Sequence, residues 1–192
     1  MTGVAATGSI RPPADSVPGG LASCVETQSA GWARRAGGSF GHAGRMRSIV
    51  LAHAAFTLAM VGVMAAVQFV IYPQFRSVDA ADFSSYAADH STRIVAVLAL
   101  FAPLEVLFAA WLWVDPAAGV DRSLAFVAGA LLAIGWVATA AWYAPLHGKL
   151  QSEPYDADRI ALLIRTNWFR TVLWLARGGF AVWFLWKVID VD

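Results

Sequence analysis

An all-α integral membrane protein, a four-helix transmembrane bundle preceded by a disordered N-terminal extension, is the fold that three observations in this sequence predict. The 192 residues are 58% hydrophobic and only 14% charged, against roughly 45–50% and 25% for a soluble domain. Mean hydropathy is +0.58. Four apolar runs, at about 49–72, 93–114, 123–143 and 167–188, are each long enough for a ~30 Å hydrocarbon core at 1.5 Å per residue. The lipid bilayer is therefore the first partner. A net charge of +1 offers no basic face for phosphates, so nucleic acid is not expected. Cys24 is the single cysteine, which excludes internal disulfides, Cys-rich zinc sites and iron–sulfur clusters.

Two segments divide the chain, residues 1–45 and 46–192. The first is rich in Gly, Pro, Ser and Thr without an apolar run; it cannot bury enough surface to offset its ordering entropy and reads as disordered. It also lacks the h-region of a secretory signal. Met46-Arg47 stands directly before the first apolar run, as an initiator would, which leaves Met1 and Met46 both open as starts.

The first span, Ile49 to Tyr72, is expected to end at Pro73. His53, Thr57, Met60, Met64 and Gln68 recur at spacings of three and four, so they share one face, which in lipid turns inward. Phe75 to Thr92, with Tyr86 and His90 one turn apart, reads as a short interfacial helix or an ordered loop. The second span, Arg93 to Val114, carries Pro103 and Glu105. The short turn Asp115 to Asp121 makes spans two and three antiparallel neighbours. Span three, Ser123 to Tyr143, is bounded by Pro145; Gly129, Ala133, Ala140 and Trp136 share a face that permits close helix approach, including that of a second copy in a homo-oligomer. Asp156 can cap a helix from Ala157 that runs on into span four. The tryptophans fall mostly near span ends, as aromatic belts do. Four spans put both termini on one side of the cell membrane, and Arg34, Arg35, Arg45 and Arg47 place that side in the cytoplasm.

Arg170 and Arg177, seven positions apart, lie within about 20° around a helix. A guanidinium within an apolar run needs a partner or a polar cavity. With the side of the long loops taken as outer, Glu105 lies ~18 Å and Arg177 ~15 Å below the starts of their spans. A Glu105–Arg177 ion pair accounts for both; the alternative makes Glu105 a ligand or proton-transfer group in a cavity. Nearer the outer end gather Gln68, Tyr72, Tyr86, His90, His147, Asn167 and Arg170. They form either a set of hydrogen bonds tying loops to the bundle or a polar pocket that opens outward. No cofactor is expected. Two histidines and a carboxylate are a conceivable transition-metal set, but no HxxxH or ExxH spacing places ligands on one helix. His53, the one histidine inside a span, reads as a hydrogen-bonding core residue, and haem ligation by two buried histidines is not expected. No serine triad, phosphate loop or nucleotide fingerprint is present.

The stretch Ala144-Pro145-Leu146-His147-Gly148-Lys149-Leu150, followed by Leu163-Ile164-Arg165-Thr166-Asn167-Trp168-Phe169-Arg170-Thr171, resembles the second half of the anthrone-oxygenase-like small membrane proteins, most of them bacterial. In that family a Pro-Leu-Asn-like motif after the third span precedes a Trp/Asn–x–x–Arg-Thr lead-in to the fourth. The Gly62…Tyr72-Pro73 end of span one is also similar, and the likeness covers roughly Arg47 to Trp186. It implies a four-helix bundle and, from the characterised fungal members, oxidation of a polyketide anthrone to a quinone without a conventional cofactor. Residue by residue it marks Pro145, His147, Asn167 and Arg170. The chain departs from the pattern at His147, where many relatives carry Asn.

Two functions follow as expectations. In one, the protein is an oxygenase-like enzyme acting on a small lipophilic aromatic molecule. His147 or His90 is then the base, Arg170 and Asn167 stabilise the oxyanion, and Gln68, Tyr72, Tyr86 and Glu105 contact substrate. In the other it is a non-catalytic accessory subunit or lipophile-binding module, in which the same residues hold loops and register.

Overall fold

The computed structural model describes the backbone of residues 19–117 and 119–190 and the side chains of 41–42, 44–117 and 119–190. The chain divides into units Met1–His42 and Ala43–Asp192; the site lies wholly in the second. Of the extension read as disordered, residues 1–18 lie outside the described residues. From Gly19 the backbone is helical, and no proline stands between Pro18 and Pro73 to interrupt it.

Every described element is helical. They are α1 (Gly19–Ala66), a π-helical turn (Val67–Ile71), α2 (Tyr72–Gln74), a 3₁₀ turn (Phe75–Ser77), α3 (Phe83–Val114), α4 (Arg122–Ala138), a second π-helical turn (Thr139–Tyr143), α5 (Ala144–Ser152) and α6 (Ala157–Ile189). They form four helices long and apolar enough to cross a membrane: Gly44–Ser77, Phe83–Val114, Arg122–Ser152 and Ala157–Ile189. The multi-pass membrane fold expected from the sequence is the one observed.

The spans are longer than expected, for identifiable reasons. Of the polar lead-in Phe75 to Thr92, the part before Phe83 is a 3₁₀ turn and a short loop, and the rest is not a separate helix but the first turns of α3. Phe83 and Ala87 are buried one turn apart and pack with Phe75, so the stretch has an apolar face and α3 starts ten residues before Arg93. Asp156 caps α6 as expected, its Oδ1 accepting from the backbone N–H of Asp158 (2.9 Å) and Arg159 (3.1 Å). Asp121 does the same for α4.

Neither Pro73 nor Pro145 ends its span. A proline inside a helix removes one hydrogen bond and its ring crowds the carbonyl four residues back. Those carbonyls belong to Phe69 and Ala141, and each lies within a π-helical turn. The wider turn opens the ladder where the ring would clash, and the helix resumes with the proline in its first positions. Pro103 sits inside α3 with no such turn, as prolines in membrane helices can when neighbours re-satisfy the backbone.

Three apolar layers stack along the bundle. An outer one surrounds Phe75, Phe83, Leu150 and Ile160, a middle one holds Met60, Met64, Leu132 and Trp174, and an inner one holds Val50, Leu112, Ala125 and Phe184. The middle layer depends on a glycine: a Cβ on Gly135 would lie 2.6 Å from Trp174 Cζ3. Close approach on span three therefore occurs at Gly135. The face read from Gly129 is open instead, with nothing within 4 Å of a Cβ at Gly129. Nor is every tryptophan a belt residue: Trp174 is 1% exposed and stands edge-on to Trp136 at mid-bundle.

Candidate functional site

Two helices supply most of the site, and their spacing explains it. The stripe His53, Thr57, Met60, Met64 and Gln68 on α1 and its π turn is buried throughout, as expected. Along α6, Asn167, Arg170, Thr171, Trp174, Arg177 and Gly178 recur at intervals of three and one and are all buried. Two polar columns thus face each other across the bundle interior.

At the outer end, Asn167 Nδ2 donates to Gln68 Oε1 at 2.8 Å, Gln68 Nε2 donates to the Ile164 carbonyl at 3.3 Å, and the Thr171 hydroxyl donates to the Asn167 carbonyl at 3.1 Å. Both π turns are tied into this region. Gln68 belongs to the first; Tyr143 closes the second and donates its hydroxyl to the Thr166 carbonyl at 2.6 Å. Gln151 bridges α5 to α3 by donating to Ser91 Oγ at 2.9 Å.

Beside this scaffold lies a group of a different character. Arg170 is 5% exposed, yet among the described residues it is paired with no carboxylate. Its guanidinium lies 4.7 Å from the Tyr143 ring centroid and 6.0 Å from that of Trp174. Its Nη2 reaches Met64 Sδ at 3.4 Å, a weak acceptor. Its charge is also felt at the neighbouring Tyr72 hydroxyl. Tyr72 in turn lies 2.8 Å from His147 Nε2. Arg170, Tyr72 and His147 thus follow one another, with the Tyr72–His147 hydrogen bond set in direction by the imidazole tautomer. The His147 ring stacks on His90, with centroids 5.7 Å apart and planes 29° apart. Four buried polar atoms here have no hydrogen-bond partner: Arg170 Nε, His147 Nδ1, His90 Nε2 and Asn167 Oδ1. Buried polar atoms in native proteins are nearly always satisfied, and a water or a polar ligand among these four would satisfy them. Among the described residues no three of His, Cys, Asp and Glu come together, and a guanidinium beside two imidazoles favours an anion over a divalent cation.

A second cluster lies deeper. Arg177 donates to Glu105 Oε1 through Nη2 (3.0 Å) and Nε (3.2 Å), to Thr57 Oγ1 (3.4 Å) and to the Ala128 carbonyl. Arg177 is 1% and Glu105 0% exposed. This is the ion pair that the depths of the two residues led one to expect. His53 does not hydrogen-bond across the bundle through Nδ1, which has no partner; its ring packs 6.2 Å from that of Phe184.

The expected site residues thus divide. His90, His147, Tyr72 and Arg170 form one connected group, with Gln68 and Asn167 as its scaffold. Glu105 is not among them: it is engaged by Arg177. Tyr86 stands apart as well, half-buried against Phe75 at 5.5 Å. It lines a cleft of about 440 Å³ with Ile71, Asp89, His90, Arg93, Ile94 and Val97. Sequence reasoning placed Met64 on the inward stripe without linking it to Arg170, and passed over Tyr143 and Trp174; the three wrap Arg170. The signal for Tyr143 is its place two residues before Pro145, at the end of the second π-helical turn. Comparison with protein-family models, with curated proteins and with solved structures finds no match.

Proposed function

We propose that the outer cluster is the active site of an oxygenase-like membrane enzyme acting on a small lipophilic aromatic molecule with an acidic hydroxyl or C–H group. The observation that carries the reading is Arg170: a guanidinium 5% exposed, with no carboxylate and one bond spent on a thioether. A buried cation without a counter-ion is costly unless an anion completes it. An anion formed from a neutral substrate would do so during the reaction and not before, the condition for transition-state stabilisation.

The chemistry is assigned as follows. The His147–His90 imidazole pair takes the substrate proton, and Arg170, acting through and beside Tyr72, stabilises the anion left behind. Asn167, held by Gln68, offers its unspent carbonyl oxygen to a substrate hydroxyl. The carbanion gives its electron pair to dioxygen, a C–O bond forms, the O–O bond breaks, and a CH₂ group becomes C=O with one water released. Dioxygen is the oxidant throughout. The resemblance at Pro145, His147, Asn167 and Arg170 supports an anthrone-like substrate. With the termini in the cytoplasm, as the arginines before span one suggest, the site faces the opposite side of the cell membrane.

A second reading has its own support. The bonds that Gln68 receives from Asn167 and Thr171 and the bond that Tyr143 gives to Thr166 bind both π turns to α6, which suits a rigid accessory subunit or a lipophile-binding module. Oxygen uptake with anthrone separates the two. Arg170→Leu and His147→Ala should abolish turnover while Arg170→Lys retains a part, all three keeping the wild-type unfolding midpoint to within a few degrees. No turnover by the wild type, or loss of folded protein in step with activity, overturns the catalytic reading.

A further inference from the structure

We propose that the cleft between α5 and the start of α6 is a lipid site that selects phosphatidylethanolamine, with the phosphate on Lys149, the primary ammonium on Asp158 and the acyl chains over Trp142 and Leu162. None of Tyr72, His90, His147 and Arg170 lines this cleft, so the inference goes beyond the function proposed above and does not rest on it.

The cleft holds about 510 Å³ and is graded in the same sense along both of its walls. On the α5 side Lys149 is outermost, Leu146 and Pro145 lie one turn deeper, and Trp142 and Ala141 a further turn deeper. The α6 wall runs the other way, and there Asp156, Asp158 and Arg159 are outermost with Leu162 one turn below them. Lys149 and Trp142 are seven residues apart, about 10 Å along the helix. Every charged lining group thus stands at the outer end and every apolar one beneath, the order in which a lipid presents its headgroup and chains. Arg165, the next charged residue along α6, is not part of the lining. The cleft is open to the bilayer: Ala141, Pro145, Lys149 and Asp158 are exposed, and Trp142 is 50% exposed, an indole placed where such rings sit at a membrane interface.

The charges at the rim are unequally engaged. Arg159 is shared between Glu153 at 2.6 Å and Asp156 at 3.5 Å, and Asp156 also accepts from the backbone N–H of Asp158 and Arg159. Among the described residues neither Lys149 nor Asp158 forms an ion pair. One cation and one anion, not paired with each other, therefore edge the same cleft. A zwitterion whose phosphate and ammonium are joined by a short ethanolamine link answers both. An anionic headgroup such as phosphatidylglycerol reaches Lys149 but offers Asp158 only like charge. The choline of phosphatidylcholine has no N–H to donate to a carboxylate. Free phosphoethanolamine leaves the apolar floor uncovered, so the source is a lipid.

The test places full-length protein in nanodiscs of phosphatidylethanolamine, phosphatidylglycerol and phosphatidylcholine in equal parts and identifies, by native mass spectrometry, the lipids that stay bound. Wild type should retain phosphatidylethanolamine about threefold over either of the others, the scale of one exposed charge contact. Asp158→Asn should bring the ratio of phosphatidylethanolamine to phosphatidylglycerol toward one. Lys149→Gln should lower retention of all three lipids about threefold. Ala141→Trp, which fills the deep end, should lower all three at least as much. Arg122→Gln, an equal change of charge at the start of α4 and the opposite end of the bundle, should match wild type. Equal retention of the three lipids by wild type, or a preference for phosphatidylglycerol, overturns the inference. So does an Asp158→Asn protein that keeps the wild-type ratio, or full retention in Lys149→Gln. Ratios are read within one sample, so partial misfolding of Asp158→Asn lowers the total and leaves the ratio. Unfolding midpoints of Lys149→Gln and Ala141→Trp should stay at the wild-type value.

Discussion

Replacing Arg177 by methionine removes the only cation among the described residues that pairs with Glu105, a carboxylate with no exposure to solvent. Both donors from Arg177 fall on Oε1, and Oε2 has no hydrogen-bond partner among the described residues, so no second cation there answers the charge. Removing one member of a buried pair costs about 3–5 kcal/mol, a factor of roughly 100 to 4,000 in the folded-to-unfolded ratio at 1.4 kcal/mol per decade. Glu105→Gln should cost less, because Arg177 retains the Ala128 carbonyl and Thr57 as acceptors and the glutamine oxygen still accepts. The double change Glu105→Leu with Arg177→Met should return to within about 1 kcal/mol of wild type, since two apolar side chains carry no desolvation cost. Equilibrium unfolding by SDS titration in mixed micelles, followed by tryptophan emission, measures all three. Two results would refute the reasoning. One is an Arg177→Met loss near the ~0.6 kcal/mol typical of a single interhelical hydrogen bond in membranes. The other is a double variant that loses the sum of the singles.

Further expectations follow from the packing and the caps. Gly135→Ala should destabilise by about 1–3 kcal/mol, because the new methyl overpacks against the Trp174 ring, and near-UV circular dichroism should report the displaced indole. Asp156→Ala should cost about 0.5–2 kcal/mol and raise amide exchange at Asp158 and Arg159, whereas Asp156→Asn should cost little; equal effects of the two would show that the cap does not hold α6. Pro145→Ala should let the Ala141 carbonyl regain a helical partner, seen as slowed exchange at residue 145 relative to its neighbours. Tyr72→Phe should leave the fold intact and reduce anthrone turnover severalfold by removing the hydroxyl that bonds His147; wild-type turnover in Tyr72→Phe would show that this bond is not used.

The four spans, the inward stripe on the first, the Asp156 cap and the pairing of Glu105 with Arg177 are all legible in the chain. Each is set by local rules: hydropathy fixes which segments lie in lipid, helical periodicity fixes which residues share a face, and depth fixes which buried charges can meet. Gln68, Tyr72, His90, His147, Asn167 and Arg170 can be assigned to one end of the bundle by the same counting. What counting cannot supply is which side chain meets which. That Tyr86 lines a cleft away from Arg170, and that Gly135 and not Gly129 takes the close contact, depend on helix rotation and crossing. Side-chain shape settles those across the whole bundle at once, as Trp174 does against Gly135. Pro73 and Pro145 make the same point at the backbone. Read alone they are stops; in the bundle, π turns at Phe69 and Ala141 absorb them, because packing and the bonds from Gln68 and Tyr143 to α6 hold a turn that an isolated helix would not keep.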